Sequence, residues 1–383
     1  MKKVLISLVS DQTIPNVLLI KELAFRNFNF DEYLFLSTDK MEANNTTENI
    51  IKSCNIHKNK AKKILIPEAN LEGITHILIK ENFSKENEYL LNISGGTKIM
   101  VLGVYNFFTN NLEKTTVCYL PIGENKISII YPNNKECPID YRLNVEEYLL
   151  SYGLNSSINE TSDSIAIEPE KFLSIYKNNR GLIHSLIFIQ NTPKVRNLFN
   201  RKKYINLSEI LRDDFKMKNN LNFNYDELFN FLKNCGFNPE KIQRKELKYI
   251  TGGWFEHYIY NTIKQITKLN NDGIAMNIKL KNKNVENEFD VMFTLNNNLH
   301  IIECKTGLSG KNGNLVNDTL YKQQALRRDF GLTVQLFLFT LDEISKESDI
   351  DRAKLFNIRI IDSKYFENKE ILTNKLKEIL KVS

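Results

Sequence analysis

Residues 286–307 read ENEFDVMFTLNNNLHIIECKTG. Two apolar runs flank a polar Asn296-Asn297-Asn298, and Asp290, Glu303 and Lys305 interrupt strands otherwise built from Phe, Val, Met, Leu and Ile. Charge in such runs needs a reason, because a buried ion is costly unless something compensates it. A two-residue loop at Asn296-Asn297 suits asparagine, which tolerates the left-handed backbone of such turns. Leu295 then faces Asn298, and counting outward sets Asp290 opposite Glu303 on one face, with Cβ atoms roughly 5 Å apart. Lys305 joins that face two residues along the strand. Paired carboxylates repel, and a divalent cation between them removes the penalty; oxygen donors favour Mg²⁺ or Mn²⁺ over zinc. One extra loop residue would break the facing unless a bulge restored it. A third acid, Glu256, is expected in the first turn of a helix, after Gly252-Gly253, where glycine permits close backbone approach.

Around this hairpin the chain is long and ordinary in composition. Its 383 residues call for two or three domains, and 42% apolar content with 10% aromatics can build real cores. A formal charge of +6 permits a polyanionic partner without requiring one. Cys54, Cys118, Cys137, Cys235 and Cys304 stand singly, which argues for a reducing compartment and against a disulfide or thiolate-zinc framework. The opening MKKVLISLVSDQTIP reads as a strand and not as a secretory signal, and no apolar run reaches membrane-spanning length. A soluble, cytoplasmic protein with no membrane partner is expected.

Strands at 4–10, 33–38, 63–67, 89–94 and 116–121 alternate with helices at 16–25, 41–57, 72–81 and 98–108. That rhythm predicts a Rossmann-like, doubly wound parallel sheet over 1–140, with ligands at the carboxyl ends of its strands. From 141 to 245 it gives way to short amphipathic helices, a helical connector with a linker at SSINETSDS (156–164) and scope for a winged-helix element. Over 246–383 a second α/β unit follows: a helix at 254–266, strands at 274–280, 287–295 and 299–307, a helix at 317–330, a strand at 333–340, and a final strand and helix.

The D-x12-E-x-K pattern of Asp290, Glu303 and Lys305, between a Glu-bearing and a Gln-bearing helix, resembles the PD-(D/E)XK nuclease superfamily over roughly 250–340. The resemblance implies a restriction-endonuclease-like domain. Asp290, Glu303 and the carbonyl of Cys304 would hold Mn²⁺ or Mg²⁺, and Lys305 would position the attacking water. Glu256 would orient a second ion or water. Among Tyr321, Lys322, Gln323 and Gln324, the last fits the motif best. Arg327 and Arg328 would follow phosphates or end a helix in solvent; His257 and His300 read as packing residues.

SGGTK (94–98) follows a strand and opens a helix, an anion-binding arrangement that is neither a dinucleotide fingerprint nor a Walker loop. Together with VSDQTIPN (9–16) and the downstream nuclease, it is similar to the CRISPR-associated Rossmann-fold (CARF) nucleases over nearly the whole chain. That likeness implies a homodimeric type III CRISPR ancillary effector activated by a cyclic oligoadenylate, typically cyclic tetra-adenylate. It would cut single-stranded RNA and DNA and nick supercoiled DNA in antiviral defence. Gln12, Thr13 and Asn16 would meet adenine edges. Ser10, Ser37 and Thr38 would close the pocket, and Gly95, Gly96, Thr97 and Lys98 would bind phosphate and ribose. Three other readings stay open: a nucleotide-independent restriction-type endonuclease, a ligand-controlled nucleic-acid regulator, and a first domain that degrades its own cyclic ligand.

Overall fold

The computed structural model describes residues 1–158, 168–211, 224–282, 285–307 and 315–382. The apolar runs Lys3–Leu8 (β1), Glu32–Ser37 (β2), Ala61–Leu65 (β3), Glu88–Asn92 (β4) and Thr115–Tyr119 (β5) form five parallel strands in the order β3-β2-β1-β4-β5. Helices Ile14–Phe25, Asp39–Ala43, Thr46–Ser53, Leu71–Lys80 and Lys98–Asn111 make the crossovers. The winding reverses between β1 and β4, which opens a crevice at their carboxyl ends. Lys126–Tyr131 (β6) and Lys135–Pro138 (β7), absent from the sequence reading, extend the sheet antiparallel.

The middle region is helical over Val145–Ser151, Pro169–Asn178, Arg180–Asn191, Pro193–Arg201, Leu207–Ile210 and Tyr225–Asn234. Pro169 and Pro193 each stand at a helix start, where the missing N–H is harmless. The linker expectation needs correcting. Ser156–Ile158 belong to a strand, Asn155–Ile158 (β8), which pairs with the second sheet; positions 159–164 lie outside the described residues. Two short strands, Tyr204–Ile205 (β9) and Ile242–Gln243 (β10), pair antiparallel.

Ile274–Asn282 (β11), Val285–Leu295 (β12), Asn298–Lys305 (β13), Gln335–Thr340 (β14) and Ile358–Ile361 (β15) complete a six-stranded sheet in the order β15-β14-β13-β12-β11-β8. One face packs on helices Trp254–Thr267 and Lys369–Leu380 and on the middle helices in a single apolar cluster. The other carries helix Leu315–Leu326 and shares a cluster with Val17, Leu18 and Leu19 of the first domain and Tyr148 and Leu149 of the Val145–Ser151 helix. A third cluster fills the far side of the first sheet. The two sheets are therefore joined through a common core and not by a free tether. Among the described residues no helix is long and apolar enough to cross a membrane.

Candidate functional site

Asn296 and Asn297 both take positive φ (50° and 61°), the two-residue turn that asparagine favours. The β12–β13 register runs from Leu295↔Asn298 to Val291↔Ile302, so the same count puts Asp290 and Glu303 on the next rung. There the ladder stops. On the other side of β12 the rung between Met276↔Val291 and Ile278↔Phe289 is also missing, where Asn277 takes a left-handed φ of 52°. Strict alternation fails at this point, since Phe289 and Met292 pack into the same cluster. The one-face expectation is corrected accordingly: Asp290 turns into the gap between strands, and its Oδ2 accepts the Cys304 N–H at 2.7 Å. An irregular rung of this kind re-aims a side chain at the cost of one pairing.

Glu303 is buried, and its Oε1 lies 2.7 Å from Lys305 Nζ and 3.8 Å from Lys322 Nζ. Burial drives the Asp290 carboxyl well above the ordinary range, and the negative charges of Glu256 and Glu303 push it further. Burial likewise lifts Glu256 to about 7, with Lys305 opposing and Glu288 adding to the rise. Burial alone would lower the pKa of the Lys305 ammonium, but Asp290 and Glu303 beside it hold it above the ordinary lysine range. Lys305 is thus a permanent cation near two acids, Glu256 and Asp290, that resist ionising.

Gly252 and Gly253 do not serve close backbone approach: a Cβ at Gly252 would meet nothing within 4 Å, and at Gly253 the nearest atoms stand at 3.7 Å. Nor does Glu256 gain from a helix end. Helix Arg244–Lys248, a π turn at Tyr249–Gly253 and helix Trp254–Thr267 run on without a break, so the amides ahead of Glu256 are already inside a helix. The π turn is pinned to the end of β13, because Thr306 Oγ1 donates to Thr251 O at 3.1 Å and Tyr176 donates to Thr306 O. Such turns concentrate at functional sites. These anchoring residues carry no sequence signal beyond single threonines and a tyrosine in a helical stretch.

His300 stacks on Phe293 at 4.5 Å and is pushed down to about 4 by burial, a packing residue. His257 is half-buried and lowered for the same reason. Gln323 is buried and donates to Phe337 O at 3.0 Å. Gln324 lies on the flank shared with Asn317 and Tyr321, which touch Arg352 and Phe356, and its buried Oε1 meets no partner among the described residues. Arg327 donates to Phe356 O, and the Arg328 side chain lies outside the described residues.

The groups available to an ion are oxygens, the carboxylates of Asp290 and Glu303, with Glu256 close enough to be repelled by Glu303 and to repel Asp290. No three His, Cys, Asp or Glu side chains among the described residues form a ready cluster. Two carboxylates and water suit a hard ion that keeps part of its hydration, and the repulsion within the acids is what such an ion would relieve.

In the first domain, Gly95 stands where a Cβ would come within 2.3 Å of Leu8 O, so only glycine lets the two loops meet, and Gly96 has φ +81°. Thr97 caps the following helix by accepting from Met100 N at 3.2 Å; Thr97 and Lys98 are exposed, and Ser10 and Gln12 partly so. The remaining candidates face inward. Asn16 donates to Leu8 O at 3.0 Å and accepts from Asn92 at 2.7 Å. Thr13 donates to Ser151, Ser37 to Glu42, and Thr38 caps Met41.

Gln12 leads out of this domain. Its Oε1 accepts from Leu332 N at 3.1 Å and from Tyr152 at 3.4 Å. Gly331 beside it takes φ +84°, and a Cβ there would sit 2.0 Å from the Tyr152 hydroxyl. Tyr148, on the helix between the domains, donates to Phe330 O at 2.9 Å.

Residues 4–148 match the family model for the Card1 CARF domain, and residues 243–379 match that for the Card1-like endonuclease domain. Among solved structures, protein VC1899 from Vibrio cholerae superposes with a TM-score of 0.75 at 20% identity, over 99% of this chain and 98% of that one. Can2 from Sulfobacillus thermosulfidooxidans, solved with cyclic tetra-adenylate, gives 0.74 at 20% identity over 99% of both chains. At that identity the likeness is one of fold. A search of curated proteins finds no match. With a Card1 CARF domain followed by a Card1-like endonuclease domain, this chain belongs to the Card1-type CARF nucleases.

Proposed function

We propose that this protein is a metal-dependent nuclease of the PD-(D/E)XK type, switched on by a cyclic oligoadenylate and acting in type III CRISPR defence. Cyclic tetra-adenylate is the activator this reading favours, since a protein of the same fold over 99% of both chains binds it. The observation that carries the catalytic half is the cluster where the β12–β13 ladder ends: Asp290 accepts the Cys304 N–H, and the neighbouring Glu303 holds Lys305.

Asp290 and Glu303 would hold Mg²⁺ or Mn²⁺, with the Cys304 carbonyl beside them. When bound, the ion supplies Lewis-acid polarisation of the scissile phosphate and lowers the pKa of the attacking water. The chain does the rest. The Cys304 N–H fixes one Asp290 oxygen and leaves the other to face the site. Glu303 holds the Lys305 ammonium at 2.7 Å, where it orients the nucleophile and offsets charge gathering on the phosphate. Glu256, lifted to about 7 while no cation is present, would orient the attacking water or a second ion. Attack by water needs no 2′-hydroxyl, so single-stranded RNA and DNA both qualify, and supercoiled DNA can be nicked where it opens.

The regulatory half rests on contact. Gln12 in the loop after β1 touches Leu332 and Tyr152, so a ligand that moves this loop acts on the turn closing the Leu315–Phe330 segment. Its differential affinity for the two arrangements sets the limit of activation. A homodimer would present the crevice twice to a cyclic ligand, and exposed Ile99 and Leu102 on the helix after SGGTK offer a face for a second copy. The test is cleavage of labelled single-stranded RNA, DNA and plasmid with Mn²⁺ and cyclic oligoadenylates of several ring sizes, with Asp290→Ala in parallel. Cutting by that variant would refute the site, and rates indifferent to every ring would refute the sensor.

A further inference from the structure

Lys322 lies on helix Leu315–Leu326, across the sheet from the helix that bears Glu256. Its Nζ stands 3.8 Å from Glu303 Oε1, the oxygen that Lys305 already holds at 2.7 Å. Glu303 therefore has its partner, and a second ammonium beyond hydrogen-bond length, 45% exposed, adds little to stability.

The helix explains why Lys322 is there. Leu320 and Gln323 are buried against the sheet, and Gln323 is tied to Phe337 O. Positions two apart on a helix point to roughly opposite flanks. Lys322 hence overhangs β13, while Gln324 occupies the flank that packs on helix Glu347–Leu355 through Tyr321 and Phe356. Arg327, one turn on, is engaged with Phe356 O. The result is a cation at the rim of the acid cluster, in contact with both a catalytic carboxylate and solvent.

We propose that Lys322 is a substrate ligand that binds a phosphodiester of the nucleic-acid strand and holds that strand over the Glu303–Lys305 pair. This rests on the nuclease reading and deepens it: the group recognised is the phosphate common to RNA and DNA, not a base. Lys322 then serves the site from the same helix as the motif-matched Gln324.

The test uses the full chain with cyclic tetra-adenylate and a labelled single-stranded oligonucleotide, as RNA and as DNA, in EDTA so that binding is read without cleavage. Lys322→Gln should weaken both strands about tenfold, flatten the dependence of log K on log salt by about 0.7 for the lost phosphate contact, and leave the melting temperature unchanged. With Mn²⁺ restored, its KM should rise more than its kcat falls, and Lys322→Arg should recover most of the binding. Unchanged affinity and salt slope in Lys322→Gln, in a wild type that does cut, would overturn this inference alone. A wild type that neither binds nor cuts either strand would overturn the nuclease reading as well.

Discussion

The side chain of Asn297, at the tip of the β12–β13 hairpin, donates to Asn125 of the first domain at 2.7 Å. The same amide donates to Tyr141 O at 3.1 Å, and its oxygen accepts the Leu143 N–H at 2.8 Å. The hairpin whose far end carries Asp290 and Glu303 is thus anchored by its turn in the CARF domain. Together with the Gln12–Leu332 contact, this gives the two domains two polar joints beside a shared apolar core.

Asn297→Gly keeps the positive φ of the turn but removes all three bonds. Thermal melting should show a loss of about 1–3 kcal/mol from buried groups left unpaired. The ratio of ligand-stimulated to basal cleavage should fall severalfold. An unchanged ratio would mean that the hairpin tip does not transmit activation.

Metal-free stability should fall with rising pH. Glu256 binds its proton more tightly folded (about 7) than unfolded (4.5), so the folded state loses ground between those values, at most about 1.4 kcal/mol per pH unit. Asp290 is shifted in the same direction. Melting temperatures between pH 5 and 8 should therefore decline in EDTA, and Glu256→Gln should flatten the decline. Asp290→Asn, which can still accept the Cys304 N–H, should melt higher than wild type at pH 8 while losing cleavage. A wild-type curve that rises across this range would refute the electrostatic picture.

Lys305→Met removes the cation that opposes the upward shifts of Glu256 and Asp290. Cleavage should drop by at least about a hundredfold, in the range seen when one preorganised stabiliser of transition-state charge is lost. The acid limb of any residual pH–rate profile should move to higher pH, because the carboxylates then ionise later. A profile that keeps its shape would place Lys305 outside the electrostatics of the acids.

Gly95→Ala tests the ligand crevice. A Cβ would approach Leu8 O to 2.3 Å, and a backbone carbonyl cannot yield as a flexible side chain can. Calorimetric titration with cyclic tetra-adenylate should show affinity reduced about tenfold or more, while basal nuclease activity stays within about twofold, since Gly95 touches no part of the acid cluster. Wild-type affinity in this variant would argue that the ligand binds elsewhere.

Much of this molecule was legible in its residues alone. Continuous apolar runs punctuated by helical periodicity can only be covered on both faces, so the parallel pairing of β1 to β5 followed, though not their order. The Asn296-Asn297 turn set the register of the hairpin because a backbone with positive φ at two successive positions admits few other residues. His300 read correctly as packing. The antiparallel strands β6 and β7 escaped because their burial is mixed and their runs short, and β8 escaped because an edge strand of Asn-Ser-Ser-Ile carries no apolar signature.

Chain order and residue type settled the parallel core of the first sheet and the β12–β13 turn that brings Asp290 and Glu303 near each other. Three further matters depended on how those elements pack. Asp290 leaves the face its parity assigns, because Asn277 on a neighbouring strand breaks a rung. Lys322 comes within 3.8 Å of Glu303, on a helix whose buried Leu320 and Gln323 set its rotation. The joints at Gln12 and Asn297 link positions 320 and 172 residues apart. Periodicity reports only which side of its own element a residue occupies, whereas rotation, rung loss and docking are set by neighbours that arrive from elsewhere in the chain.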